Sequence, residues 1–251
     1  MTLQKYFINS EYWAENKVLI EGQDAHHILR VMRYTVGDRI VCNQPDGKAA
    51  VCVIKKVDKN TVEVEIEQDL EGSTELPVHV TIAQGLPKGD KIDLILQKGT
   101  ELGARAFIPF QAERSIAVWD QKKIEKKMKR FSKIIKEASE QSQRNVLPEM
   151  TAPMDIQELI EESKNYPVKI FAYEEEAKVN EHGSFGTILN QVNKGDQVLI
   201  AIGPEGGFSK AEASLLQEKN FKPVRLGPRI LRTETASLYA LASISYHFEE
   251  S

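Results

Sequence analysis

Two short stretches of this chain carry residue types that hold ligands and stabilise moving charge. The first is GPEGGFS, Gly203 to Ser209. It follows the apolar run QVLIAI and leads into a helix, because Ser209 and Glu212 form the Ser-x-x-Glu capping box that starts one at Lys210. The glycines therefore lie in a strand-to-helix turn, where missing side chains let a ligand reach the backbone. Neither common phosphate cradle fits. A P-loop needs Gly-x4-Gly-Lys-Ser/Thr, and the dinucleotide fingerprint needs Gly-x-Gly-x-x-Gly. Pro204 and Glu205 fill the wrong places, and the Glu205 carboxylate would repel a phosphate. The turn suits an uncharged or cationic ligand portion. The second stretch is GPRILRTETA, Gly227 to Ala236, in which Arg229, Arg232 and Glu234 crowd a turn after an apolar strand. Ligands of open α/β sheets bind at that edge. Thr233, Glu234 and Thr235 also supply capping groups and acidic charge for the helix that follows.

Such turns need a sheet behind them. From residue 78 the segments VHVTIAQGL, ARAFIPF, PVKIFAY, DQVLIAIG and KPVRLG are apolar strand candidates separated by helical stretches. Continuous apolar strands alternating with helices predict a mostly parallel sheet with helices on both faces. One helix is expected in DKIDLILQKGTELG, with Asp90 as N-cap and Gly103 at its C-terminal end. Residues 1–72 read differently. Short strands dominate, and TVEVEIE alternates Val62, Val64 and Ile66 with glutamates, the pattern of a half-buried strand. A small β-barrel or sandwich is expected there, with LEGSTELP as the linker to a second domain over 73–251. The last helix is apolar on several faces (Leu238, Leu241, Ile244, Phe248), which predicts burial, in part at a subunit interface.

Charge and composition narrow the classes. The net charge is −4, so no global positive field advertises nucleic acid. The local picture differs: from Arg114 to Arg144 ten Lys or Arg face four acids, mostly on one helix whose apolar stripe is Ile124, Met128, Phe131, Ile135 and Ala138. No run of about 18 apolar residues and no apolar leader occurs, so a cytoplasmic protein without membrane contact is expected. Cys42 and Cys52 flank a PDG turn and are read as reduced thiols, and the five histidines show no metal-ligand spacing.

GPEGGFS followed by LGPRILRTETA strongly resembles the ribosomal RNA methyltransferases that modify N3 of uridine 1498 in 16S RNA, a family of the SPOUT class. The resemblance runs along the whole chain, through HHILRVMRYTVGD, KGDKIDLILQKGTELG, EASEQSQR and LPEM. It implies a PUA-like β-barrel that binds RNA, then an α/β domain whose chain is threaded as a deep trefoil knot. Pattern alone would give an ordinary doubly wound sheet, because knots are nearly absent from proteins. It also implies S-adenosylmethionine as cofactor, no metal, a homodimer, and the small ribosomal subunit as partner.

On that reading the cofactor is held at three strand ends: Ala172 and Tyr173; Ile202, Gly203, Gly206 and Gly207; Leu226, Gly227, Ile230, Leu231, Thr233 and Ala236. Arg232 would stabilise charge on the uracil oxygens. Glu205 or Glu234 would accept the N3 proton, and Glu205 would also face the cationic sulfonium. Arg30, Arg33, Arg114, Gln141 and Arg144 would orient RNA. The alternative class is a non-catalytic RNA-binding or ribosome-assembly protein, which has no need of two intact glycine turns.

Overall fold

The computed structural model describes residues 3–117, 119, 121–173 and 185–251. The chain divides into two compact units, residues 1–75 with 139–147, and residues 76–138 with 148–251.

The first unit is a five-stranded sheet built from β1 (Lys5–Phe7), β2 (Lys17–Glu21), β3 (Arg39–Asn43), β4 (Ala49–Val57) and β5 (Thr61–Asp69), in the order β1-β3-β4-β5-β2. β1 runs parallel to β3 and the other pairs are antiparallel. Two register shifts between β4 and β5 bend the sheet into a half-barrel. The alternation read from TVEVEIE is real: Val62 and Val64 are buried, and Ile66 packs partly against the same core. A short helix, α1 (Gly22–His26), continues into a helical turn over His27–Val31. The PDG turn does join β3 to β4, but the register pairs Cys42 with Ala50 and Cys52 with Ile40, so the two buried, free thiols lie diagonally rather than opposite.

Residues 139–147 complete this unit. The Lys5 ammonium donates to the carbonyls of Gln143 (2.9 Å) and Arg144 (3.0 Å), and the Asn43 amide donates to the Asn145 carbonyl at 3.1 Å. Arg144 lays its guanidinium across the Glu75 carboxylate.

In the second unit every strand pair is parallel. β6 (His79–Gly85), β7 (Ala106–Gln111), β8 (Glu149–Met150), β9 (Met154–Asp155), β10 (Val168–Ala172), β11 (Gln197–Ile202) and β12 (Lys222–Val224) take the order β12-β10-β11-β6-β7-β8, with β9 also on β7. Helices cover both faces, as the apolar runs predicted. Ala83, Ile108, Phe110, Phe171, Leu199 and Ala201 pack against α4 (Ile156–Glu162) and α6 (Lys210–Glu218). The other face carries α2 (Lys91–Glu101) and α7 (Thr233–Ser245), which pack on each other. α3 (Gln121–Gln141) follows β7 and buries Phe131, Ile135 and Ala138. The register brings Gln84 beside Ile202 and Ala172 beside Val224, so four strands end along one edge.

Local signals were used in unequal ways. The Ser209–Glu212 capping box forms in both directions. Gly103 follows α2 at φ +89°, the left-handed C-terminal position. Asp90 stands at the N-cap of α2 but its carboxylate makes no capping bond.

Candidate functional site

A cavity of about 810 Å³ opens at the shared strand edge. That lies within the usual range for small-molecule sites, about 300–1,000 Å³. Its walls come from the end of β10, from the turn after β11 and from the loop between β12 and α7. All twelve residues expected at the cofactor, from Ala172 to Ala236, line it. The β11 turn can sit this close to β6 because residue 85 is glycine: a Cβ there would lie 2.6 Å from the Pro204 ring. Gly207 takes φ +65°, which lets the turn reverse into Phe208 and the capped helix.

A buried polar chain fixes these parts to one another. The Thr233 hydroxyl donates to the Gly203 carbonyl at 2.6 Å and accepts from the Gln84 amide at 2.9 Å. Ser237 donates to the other end of Gln84 at 2.5 Å. Thr233 was expected to cap α7. It opens that helix instead with its hydroxyl spent on β11, and Arg232 occupies the N-cap without a side-chain capping bond. Neither Gln84 nor Ser237 was singled out from sequence, since each looks like an ordinary polar residue until strand and helix meet.

The carboxylates are placed differently from expectation. Glu205 accepts from the Lys91 ammonium at 2.6 Å and from the Lys88 backbone N–H at 3.1 Å. Burial alone would push its carboxyl up, but the Lys91 and Lys88 donors outweigh burial and hold it below the usual range. A carboxylate held that firmly in its ionised form is a poor proton acceptor, and its charge is already matched by Lys91. Glu234 does not line the cavity. It turns toward Lys91, with Oε2 3.5 Å from the ammonium and no hydrogen bond to that oxygen. Lys91, missed in the sequence, thus ties both glutamates to the start of α2.

The arginines divide into committed and uncommitted. Arg114 lines the cavity and donates to the Gly206 carbonyl at 3.0 Å, and a Cβ on Gly206 would press on the Arg114 side chain at 2.9 Å. Arg225 donates to the Gly227 carbonyl at 2.6 Å and braces that loop. Arg229 and Arg232 line the cavity, are exposed, and have no hydrogen-bond or ion-pair partner among the described residues. Ile230 between them is 85% exposed. In the first unit Arg30 and Arg33 are exposed beside exposed Val31, Met32 and Val36, whereas Arg39, Lys55 and Lys56 are paired with acids. Gln141 is exposed. Arg144 is corrected: at 3% exposure, forked onto Glu75, it holds the first unit together and offers no charge to RNA.

Residues 74–245 match the RNA methyltransferase domain family, and residues 20–67 match the RNA methyltransferase PUA domain. The chain belongs to the RNA methyltransferase family. It is 45% identical to ribosomal RNA small subunit methyltransferase E of Bacillus subtilis over 98% of both chains. With the enzyme of that name from Aquifex aeolicus it shares 35% identity over 96% of this chain and 99% of the relative. A crystal structure of ribosomal RNA small subunit methyltransferase E from Neisseria gonorrhoeae bound to S-adenosyl methionine superposes with a TM-score of 0.85, at 28% identity over 98% of each chain. The expected fold class, a PUA-like module ahead of a SPOUT-type α/β methyltransferase domain, is the one observed. No helix among the described residues is long and apolar enough to cross a membrane.

Proposed function

We propose that this protein transfers a methyl group from S-adenosylmethionine to N3 of uridine 1498 in 16S rRNA of the small ribosomal subunit. One observation carries the reading: a glycine- and aliphatic-walled cavity at the strand edge has two uncommitted guanidiniums, Arg229 and Arg232, on its wall. The residues present fit S-adenosylmethionine. Ile202, Leu226, Leu231 and Ala236 offer apolar surface for an adenine ring, and the glycine turns offer backbone groups for its edge. The cation nearest the glutamates, Lys91, is matched by Glu205, so the wall does not present it as a bare charge to a sulfonium. When bound, the cofactor supplies an electrophilic methyl group.

The chain's own residues do the rest. The Gln84–Thr233–Gly203 chain holds the cavity wall rigid, which is what an in-line transfer needs most. Arg232 presents its fork to the uracil oxygens as the N3 proton passes to solvent water, and S-adenosylhomocysteine is released as the leaving thioether. Glu205 keeps the turn on α2 through Lys91 and is not assigned the proton, and Glu234 is placed behind that lysine. Arg30, Arg33, Arg114 and Gln141 contact RNA in this reading. The threading of the second unit as a trefoil knot, a homodimer joined through the exposed Ile230, Tyr239 and Tyr246, and a cytoplasmic location belong to the same reading.

The test uses small subunits from cells lacking this protein. Incubated with the enzyme and labelled S-adenosylmethionine, they should yield 3-methyluridine on nuclease digestion and mass spectrometry. Primer extension should place a new stop at the predicted uridine. RNA binding without methyl transfer would favour the assembly-factor alternative. Methyl transfer to another atom would overturn the substrate assignment.

A further inference from the structure

Helix α3 has a feature that its own stability opposes. Between Gln121 and Lys136 it carries eight Lys or Arg and one acid, Glu125, in a chain whose net charge is −4. Only Lys122 and Lys123 fall in the first turn, at the positive end of the helix dipole, where acids are the stabilising residues. The cations also repel one another at i,i+4: Lys126 with Arg130 and Lys129 with Lys133. A face selected only for solubility would mix the two signs.

Position sorts the cations. Arg130 is bound to Asp93 at 2.6 Å and lies 3.7 Å from Asp90, joining α3 to the first turn of α2. Lys127 sits 4.7 Å above the Trp119 ring. Four others form a row opposite the buried Phe131, Ile135 and Ala138: Lys126, Lys129, Lys133 and Lys136, at steps of three, four and three residues. The first three are exposed; among the described residues Lys126 and Lys129 form no ion pair, and Lys133 has only a 3.6 Å contact to exposed Glu137. At about 1.5 Å per residue the row spans about 15 Å. The helix is tied to an element of the candidate site. The α2 turn that holds Arg130 also carries Lys91, and Arg114, a few residues before α3, lines the same cavity.

We propose that Lys126, Lys129 and Lys133 bind the phosphodiester backbone of the RNA that carries the target base, without reading its sequence. The proposal rests on the RNA substrate of the preceding section and adds a surface to it. The match is one of charge: a polyanion would neutralise three exposed cations on one face, of which only Lys133 has an acid beside it among the described residues, at 3.6 Å.

The test is the triple variant Lys126→Glu, Lys129→Glu, Lys133→Glu. A charge-matched control, Lys210→Glu, Lys219→Glu, Lys222→Glu, changes exposed lysines elsewhere. Affinity for 16S RNA is measured as a function of KCl. Each lost phosphate contact lowers the salt slope by about 0.7–0.9, so the α3 variant should lose about 2 to 3 from the slope. Its KM for RNA should rise more than tenfold with kcat and cofactor affinity unchanged. Its melting temperature should fall only slightly, because all three side chains are exposed and the new repulsion with Glu125 and Glu137 at i,i+4 replaces that among the lysines. An unchanged slope, or an equal change in the control, overturns the proposal and leaves a solvated face. The slope reads binding alone, so failure of methyl transfer by the wild type would sink the proposed reaction without touching this result.

Discussion

Replacing Thr233 by valine removes one hydroxyl and almost no volume, and it falls where the cavity wall is pinned. That hydroxyl donates to the Gly203 carbonyl at 2.6 Å and accepts from Gln84 at 2.9 Å, in a site where Thr233 and Gln84 are both buried. Gln84 keeps two other bonds, to Ser237 and to the Gly85 carbonyl. Among the described residues the Gly203 carbonyl has no other donor to turn to, since the β11–β6 ladder ends at Ile202. An orphaned buried acceptor costs about 1–3 kcal/mol and the second lost bond about 0.5–1.5 kcal/mol. Together these give a destabilisation of about 2–4 kcal/mol for the variant, or a fall in Tm of about 4–16 °C for a unit of this size. The functional consequence is sharper, because Gly203 is itself part of the cavity wall. Calorimetry should show weaker S-adenosylmethionine binding in Thr233→Val, and Thr233→Ser should restore both binding and Tm. A drop in Tm below about 2 °C on the same scale, or a serine variant as impaired as the valine one, would refute the claim that this hydroxyl holds β11 to α7.

Three further outcomes follow from the same geometry. Arg232→Ala should bind cofactor normally but lose about 10²–10³ in single-turnover methylation, since it removes a donor aimed at developing charge, and lysine should restore little. Gly85→Ala, which places a Cβ 2.6 Å from Pro204, should displace the β11 turn and weaken cofactor binding more than tenfold by calorimetry. Glu75→Ala should destabilise the first unit by about 3–5 kcal/mol at pH 7, because it strands the buried Arg144 charge. Burial raises the Glu75 carboxyl, but the Arg144 bond and the Asn145 and Val146 N–H donors outweigh it, so the folded value is depressed. Its contribution is therefore full above the unfolded carboxylate range, about 4.3, and is lost as pH falls through the lower folded value. Urea titrations of wild type and variant should converge in acid.

The readable part of this protein was the part carried by local patterns. Alternation marked β5, the capping box marked the start of α6, and glycines at the ends of apolar runs marked the turns that line the cavity. These signals span a few residues, and the forces behind them act over the same few residues. What escaped was everything decided by partners distant in sequence. Lys91 and Glu205 are 114 positions apart, and nothing beside either one announces the pair. Thr233 had the right type and position for a cap, and the fold spent its hydroxyl on a carbonyl 30 residues earlier.

Arg144 and Arg232 show the limit most directly. Both follow motifs dense in polar residues, and both were read as contacts to RNA or uracil. Arg144 meets a carboxylate at Glu75 and two neighbouring N–H groups bound to the same acid, so its charge is satisfied in the interior. Arg232 is the N-cap of a helix whose first-turn acid, Glu234, lies beside Lys91 at 3.5 Å. Its guanidinium keeps no partner among the described residues and stays on the cavity wall. Charge alone does not distinguish a structural arginine from a functional one. The distinction lies in which carboxylates the fold leaves unspent nearby, and here Lys91, by binding Glu205 and lying beside Glu234, is what keeps Arg232 available.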